Sequence, residues 1–195
     1  YYAEKEVRLA ALFHDVAKPF CKINYGEYYG HAGVGEKMTE RILSALKADG
    51  KTIKETAFLV GAHMKDLDCK EKESKIRRFI AENSPLIPKL LLLKQADYSA
   101  SKDDTGISPT VEKWQRIIEE MRSDGTPFSL KELKITAEDL MAAGYFGGEI
   151  GKELKKLLSL CRELPAKNDR EILLKKAEKD AEKSVEKRKK PSVRL

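Results

Sequence analysis

The sequence predicts an all-α chain, a helical bundle followed by a second, smaller helical domain. Apolar residues recur at helical spacing along its length, and no segment alternates as a strand would. Hydrophobic residues make up 41% of the 195-residue chain and charged residues 36%, enough for a core wrapped in solvated helix faces. Cap residues and prolines punctuate the pattern at intervals suited to helices.

The elements follow in order. The stretch "RLAALFHDVAKPF" opens as a helix that is apolar nearly all round, so burial is expected, and it runs into His14 and Asp15. The glycine-rich "YGHAGVG" carries His31 and opens a helix reaching Ala48. Thr52 and Glu55 form a capping-box pattern before a helix ending near Asp66. Ser84-Pro85 precedes "LIPKLLLLKQADYSA", and Ser108-Pro109 precedes "TVEKWQRIIEEM", which "SDG" stops. There Trp114 falls on the stripe of Val111, Ile117 and Met121, a core position. Thr136 and Asp139 open a short helix that Gly144 closes. "FGGEIGKELKKLLSLCREL" forms the next, and Asn168 or Asp169 caps a highly charged last one. The polar run "SASKDDTGISP" is the natural boundary, giving domains 1–100 and 101–195.

Composition narrows the function. No apolar run is long enough to span a membrane. The start is no signal peptide and reads as a helix already under way, so further chain is expected before Tyr1. Three widely spaced cysteines suit free thiols in a reducing cytoplasm. The net charge is +6, and from Arg170 onward ten Lys/Arg stand against five Asp/Glu. "EKRKKPSVRL" is either a solvated, fraying helix or a phosphate-binding arm.

All three histidines, His14, His31 and His63, lie in the first block. Asp97 continues the stripe Leu86, Leu90, Leu93, and His63 continues Ile53, Ala57, Val60, so both face inward. Buried acids need positive charge, and this block shows no evidently buried Lys or Arg. A divalent metal would supply the charge; mixed His/Asp ligation suits Mn, Fe, Co, Ni or Zn, with Mg where carboxylate and water dominate. His31, at a glycine-rich helix start, suits a second metal site, a phosphate contact or a solvated loop.

"HDVAKP", "YGHAGVGEKM", "VGAHM" and "LLLKQAD" resemble, in order, the motifs of HD-domain metal phosphohydrolases. The resemblance implies His14, Asp15 and Asp97 as metal ligands, with His31, His63 and Lys18 serving the phosphate or a second metal. Ala17 replaces the usual glycine after the pair, and the family's earlier histidine would lie upstream of Tyr1.

The second block adds to this. "ITAEDLMAAGYFGGEIGKEL" and, more weakly, "NDREILL" resemble the C-terminal half of the CCA-adding enzyme and poly(A) polymerase family of tRNA nucleotidyltransferases. The turn Tyr145–Gly148 lacks the family's prolines. The resemblance implies tRNA as partner, beside a phosphate-containing small substrate. Gly147 and Gly148 at a helix start, with Lys152, Lys155 and Lys156 following, would make a phosphate-backbone clamp. The strand turn and carboxylate pair that nucleotidyl transfer needs are not found; Asp103-Asp104 sits in the linker. A stand-alone HD nucleotide phosphohydrolase and a non-catalytic tRNA-binding module are the alternatives.

Overall fold

A computed structural model describes residues 3–102 and 106–189, with side chains up to residue 182. The side chains of "EKRKKPSVRL" and the pair Asp103-Asp104 lie outside the described residues. Among the described residues there are ten α-helices, two short 3-10 turns and no strand. No described helix is long and apolar enough to cross a membrane.

By packing, the chain forms two units. One comprises the chain up to Lys72 together with Asn83–Arg116; the other comprises Glu73–Glu82 and the chain from Ile117 onward. This division differs from one at residue 100 in two places. Helix α5 (Glu73–Glu82) belongs with the second unit, and residues 101–116 belong with the first.

The first unit holds α1 (Lys5–Phe13), α2 (Lys18–Tyr25), α3 (His31–Ala45), α4 (Gly50–Ala62), α6 (Ile87–Lys102) and the start of α7 (Pro109–Ser123). Helix α4 is central, packing on α1, α3 and α6. Its N-cap is Asp49, whose carboxylate accepts the Thr52 amide at 2.9 Å. The expected Thr52/Glu55 box is therefore displaced by three residues, because Asp49 captures the Thr52 amide and hydroxyl first. Gly35 lets α3 approach α4 closely: a Cβ there would stand 3.2 Å from Val60 Cγ1. The same glycine faces Ala17 and the His14 carbonyl, so α3 lies against the segment that carries His14 and Asp15.

Helix α1 is not buried all round. Glu6, Val7 and Ala10 are buried, while Leu12 is 72% exposed. Nor is the first block without buried cations. Lys89 is buried and bonds Glu4 at 2.7 Å, Glu55 at 2.7 Å and Glu6 at 3.2 Å, joining α1, α4 and α6. Hydrogen bonds to Glu4 and Glu55 outweigh burial and raise its pKa.

The second unit packs α8 (Ala137–Ala142), α9 (Gly148–Glu163) and α10 (Arg170–Lys189) around Leu140, Leu157, Cys161 and Leu173. The expected Thr136/Asp139 capping box opens α8 in both directions. Asp169, rather than Asn168, caps α10, accepting the amides of Glu171 and Ile172. Helix α5 was not evident from its charged flanks, although Ile76, Phe79 and Ile80 carry helical spacing.

Candidate metal centre

Pro19 near the start of α2 has no amide hydrogen and favours a new helix start, so α1 ends at Phe13. His14 and Asp15 thus occupy the turn between two helices. His63 is the C-cap of α4, His31 is the first residue of α3 after left-handed Gly30, and Asp97 lies on α6. Five side chains, His14 and Asp15 from this turn and His31, His63 and Asp97 from three helices or their ends, are thus brought together.

They meet on two sides of the Asp15 carboxylate. His14 Nε2 lies 3.3 Å from Asp15 Oδ2 and 3.5 Å from Asp97 Oδ1. On the other side His31 Nε2 lies 3.3 Å, and His63 Nε2 3.9 Å, from Asp15 Oδ1. The two imidazole Nε2 atoms are themselves 3.3 Å apart. Asp15, His31 and His63 form a donor group able to hold a metal ion.

The other ring nitrogen decides what these contacts mean. His14 Nδ1 donates to Ala11 O at 2.9 Å, His31 Nδ1 to Tyr28 O at 2.9 Å, and His63 Nδ1 to Val60 O at 2.7 Å. A carbonyl accepts only an N–H, so in the neutral rings each proton is on Nδ1 and each Nε2 presents a lone pair. Neutral rings then place lone pairs against one another and against carboxylate oxygens. A cation at that point turns the repulsion into ligation. Two donors on a tetrahedral metal at about 2.0–2.1 Å stand roughly 3.3–3.4 Å apart, close to the spacings here.

Burial lowers the His63 pKa to about 4, and the neighbouring His14 and His31 add to this against the opposing Val60 bond and Asp15. The ring is therefore neutral at pH 7. Asp15 is only partly buried, and Lys18 Nζ sits 2.6 Å from its Oδ2. Burial would raise the Asp15 pKa; the hydrogen bond and charge of Lys18 oppose it and the carboxyl is held low. Charge need at Asp15 is thus met in part by Lys18, and the convergent nitrogens are the stronger sign of a metal.

Two further residues support the site and were not singled out in the sequence. Lys94, buried on α6, donates to His63 O at 2.7 Å and Lys65 O at 2.6 Å, capping the end of α4. Burial lowers its pKa to about 8 against the pull of Asp66 and Asp97. Its position inside "LLLLKQAD", one turn before Asp97, was the available signal. We expect Lys94→Met to cost roughly 1–3 kcal/mol in urea unfolding, because two carbonyls lose their buried donor.

Asp66, buried at φ 54°, is the second. It accepts Lys113 Nζ at 2.8 Å, Trp114 Nε1 at 3.1 Å and the Glu71 amide at 2.8 Å. Trp114 is fully buried, as its stripe predicts.

In the second unit, Gly147 takes φ 54°, ψ −129° as N-cap of α9, a conformation suited to glycine. Gly148 begins the helix, and Phe146 beside them is 72% exposed. Lys152 and Lys155 are exposed, whereas Lys156 turns back to Glu153 and Asp180. Tyr145 anchors the turn, its hydroxyl donating to Ala177 O at 2.8 Å.

The sequence matches the HD domain family over residues 2–101. It is 33% identical to the CC-adding tRNA nucleotidyltransferase of Thermus thermophilus over 165 residues, 80% of this chain and 36% of that protein. It is 37% identical to the A-adding tRNA nucleotidyltransferase of Deinococcus radiodurans over 105 residues, 51% of this chain and 24% of that protein. The chain therefore spans between a quarter and about a third of the length of these relatives. No solved structure matches it. The matched span takes in half of the chain and every residue gathered around Asp15, and on that basis this chain belongs to the HD domain family.

Proposed function

We propose that this chain is the HD and tRNA-holding portion of a tRNA nucleotidyltransferase, carrying a metal-dependent phosphohydrolase site in its first hundred residues and RNA contacts in residues 101–195. The observation that carries the metal reading is the convergence of three Nε2 lone pairs on one carboxylate, each ring held by its own Nδ1–H bond. Its similarity to CC- and A-adding relatives supports tRNA as partner and the cytoplasm as its place of action.

In this reading His14, Asp15 and Asp97 hold a divalent metal on one side, and His31 and His63 hold metal on the Oδ1 side rather than only assisting at the phosphate. Mn, Ni, Co, Fe and Mg are the candidate ions. When bound, the metal acidifies a water and withdraws charge from a phosphoryl oxygen. Lys18, nearly half exposed at the mouth, binds a non-bridging phosphate oxygen and compensates its charge. The buried, neutral His63 keeps its lone pair for the metal at pH 7. The substrate is a 2′,3′-cyclic or monophosphate ester.

The test is hydrolysis of 2′,3′-cyclic AMP by purified chain with Mn²⁺, Ni²⁺, Co²⁺ or Mg²⁺. Metal-dependent turnover that His14→Ala removes without unfolding supports the reading. Absence of turnover with all four ions contradicts its catalytic half.

The RNA half rests on the exposed Phe146, Lys152 and Lys155 around the Gly147-Gly148 turn, with Lys156 holding α9 to α10. Filter binding of tRNA should weaken with salt, and Lys152→Ala/Lys155→Ala should flatten the log–log slope by about 1–2. An unchanged slope would remove these lysines from the interface.

A further inference from the structure

A second cavity lies apart from the cleft at Asp15. It opens between α2 and α3, encloses about 600 Å³ and shares only Gly30 with that cleft. Sites for small organic ligands typically run to roughly 300–1,000 Å³, so its size suits such a molecule rather than a single ion.

One wall is aromatic. Helix α2 packs inward through Cys21, its buried residue. Phe20 and Tyr25 are left exposed at the cavity, standing edge to face with ring centres 6.2 Å apart and planes 80° apart. The other wall is one face of α3. Gly33, Lys37 and Arg41 recur there every four residues, with Val34 and Met38 half-buried beside them.

Gly33 sets the floor. A glycine within a helix costs stability against alanine, so it needs a reason. At Gly35 the reason is packing, because Val60 presses on that position. Gly33 has no such neighbour: a Cβ there would meet nothing within 4 Å. Nor does its backbone need glycine, since its φ is not positive. What the residue leaves is bare backbone along the cavity, against which a flat body can lie closely.

The rim is cationic. The side chains of Lys37 and Arg41 make no ion pair or hydrogen bond among the described residues. Glu36, the acid on this wall, turns to α4 instead, where a Cβ on Gly61 would lie 2.5 Å from its Oε2. Exposed cations are usually solvated and alone mark nothing. These two stand one turn apart beside an aromatic wall and an open floor, so one anionic group can meet both.

We propose that the α2–α3 cavity binds a small aromatic organic anion. Its ring lies between the Phe20–Tyr25 wall and the Gly33 backbone, and its carboxylate, sulfonate or phosphate group is held by Lys37 and Arg41. Binding there needs no metal at Asp15.

The experiment is fluorescence titration of the full chain, without metal, by 8-anilinonaphthalene-1-sulfonate and by N-phenyl-1-naphthylamine, the same aromatic body without the sulfonate. The sulfonate should bind saturably, about tenfold more tightly than the neutral amine. Lys37→Ala/Arg41→Ala should abolish that preference and leave the affinity for the amine within about twofold. Gly33→Leu should weaken both probes about tenfold or more, because its side chain fills the floor. Its melting temperature should not fall, since the space is open and leucine is the better helix former. Absence of saturable sulfonate binding, equal affinity for the two probes, or a preference that survives the double variant overturns the proposal. So does unchanged binding by a Gly33→Leu variant that melts as the wild type does. If that variant melts lower, the double variant decides alone, because both of its positions are exposed.

Discussion

His63→Ala is expected to lower the affinity for Mn²⁺ or Ni²⁺ by roughly a hundredfold or more, a loss beyond the 10–100-fold typical of supporting residues. The ring is almost wholly buried, so no neighbouring side chain or bulk water takes its place. Its Nε2 lies 3.3 Å from that of His31 and its Nδ1 is spent on Val60 O, so only one nitrogen faces the site. Isothermal titration measures the effect. Thermal melting of the variant without metal separates ligand loss from unfolding, and His63→Gln, which refills most of the space, should lose affinity similarly. A change below threefold in both variants would remove His63 from the ligand set.

Asp66→Ala is expected to cost about 3–5 kcal/mol in denaturant unfolding, the range for removing one partner of a buried ion pair. Lys113 would be left without its carboxylate, Trp114 Nε1 and the Glu71 amide would lose their acceptor, and alanine would be forced to positive φ. Asp66→Asn keeps an acceptor and tolerates the backbone, so it should cost less. The same residue makes a pH prediction. Burial would raise the Asp66 pKa, but Lys113, the Glu71 amide and Trp114 outweigh it and hold the carboxyl below its ordinary value. The unfolded chain therefore takes up the proton first as pH falls. The stabilisation is complete above about pH 5 and is lost as pH falls below about 4, through the folded pKa. Between pH 5 and 3 the wild type should lose more stability than Asp66→Asn; equal losses would show that Asp66 is not the titrating group.

Much of the helical fold was legible because helix periodicity and caps are local. The Thr136/Asp139 box and the Ser108-Pro109 start need only neighbouring residues. Where two local solutions compete, the sequence does not rank them. Asp49 and Thr52 are both good caps before α4, and Asp49 acts first because its carboxylate reaches the Thr52 amide. Burial was less legible. Leu12 lies on an apolar helix yet faces outward, since folded proteins leave much apolar surface exposed. The burial of Lys89 and Lys94 is not a local property, because it depends on acceptors brought from distant segments, Glu4 and Glu55 for one and the end of α4 for the other.

The residues around Asp15 were readable as a set, but their arrangement was not. Helical spacing turns His63 and Asp97 inward and leaves His31 apart, and the family resemblance implies His14, Asp15 and Asp97 as ligands with His31 and His63 beside them. The structure gathers all five, with the two oxygens of Asp15 facing different partners. That depends on Gly35 admitting α3 against α4, a tertiary fact no local pattern contains. On the RNA side, Lys156 reads as one more exposed lysine until α10 brings Asp180 to it.

The Nε2 nitrogens of His31 and His63 and the Asp15 carboxylate are expected to hold a divalent metal. Anomalous diffraction from crystals grown with Mn²⁺ or Ni²⁺ tests it most directly. The expected result is a peak about 2.0–2.3 Å from His31 Nε2, His63 Nε2 and an Asp15 oxygen. A loaded crystal with its peaks elsewhere and none at Asp15 would contradict it.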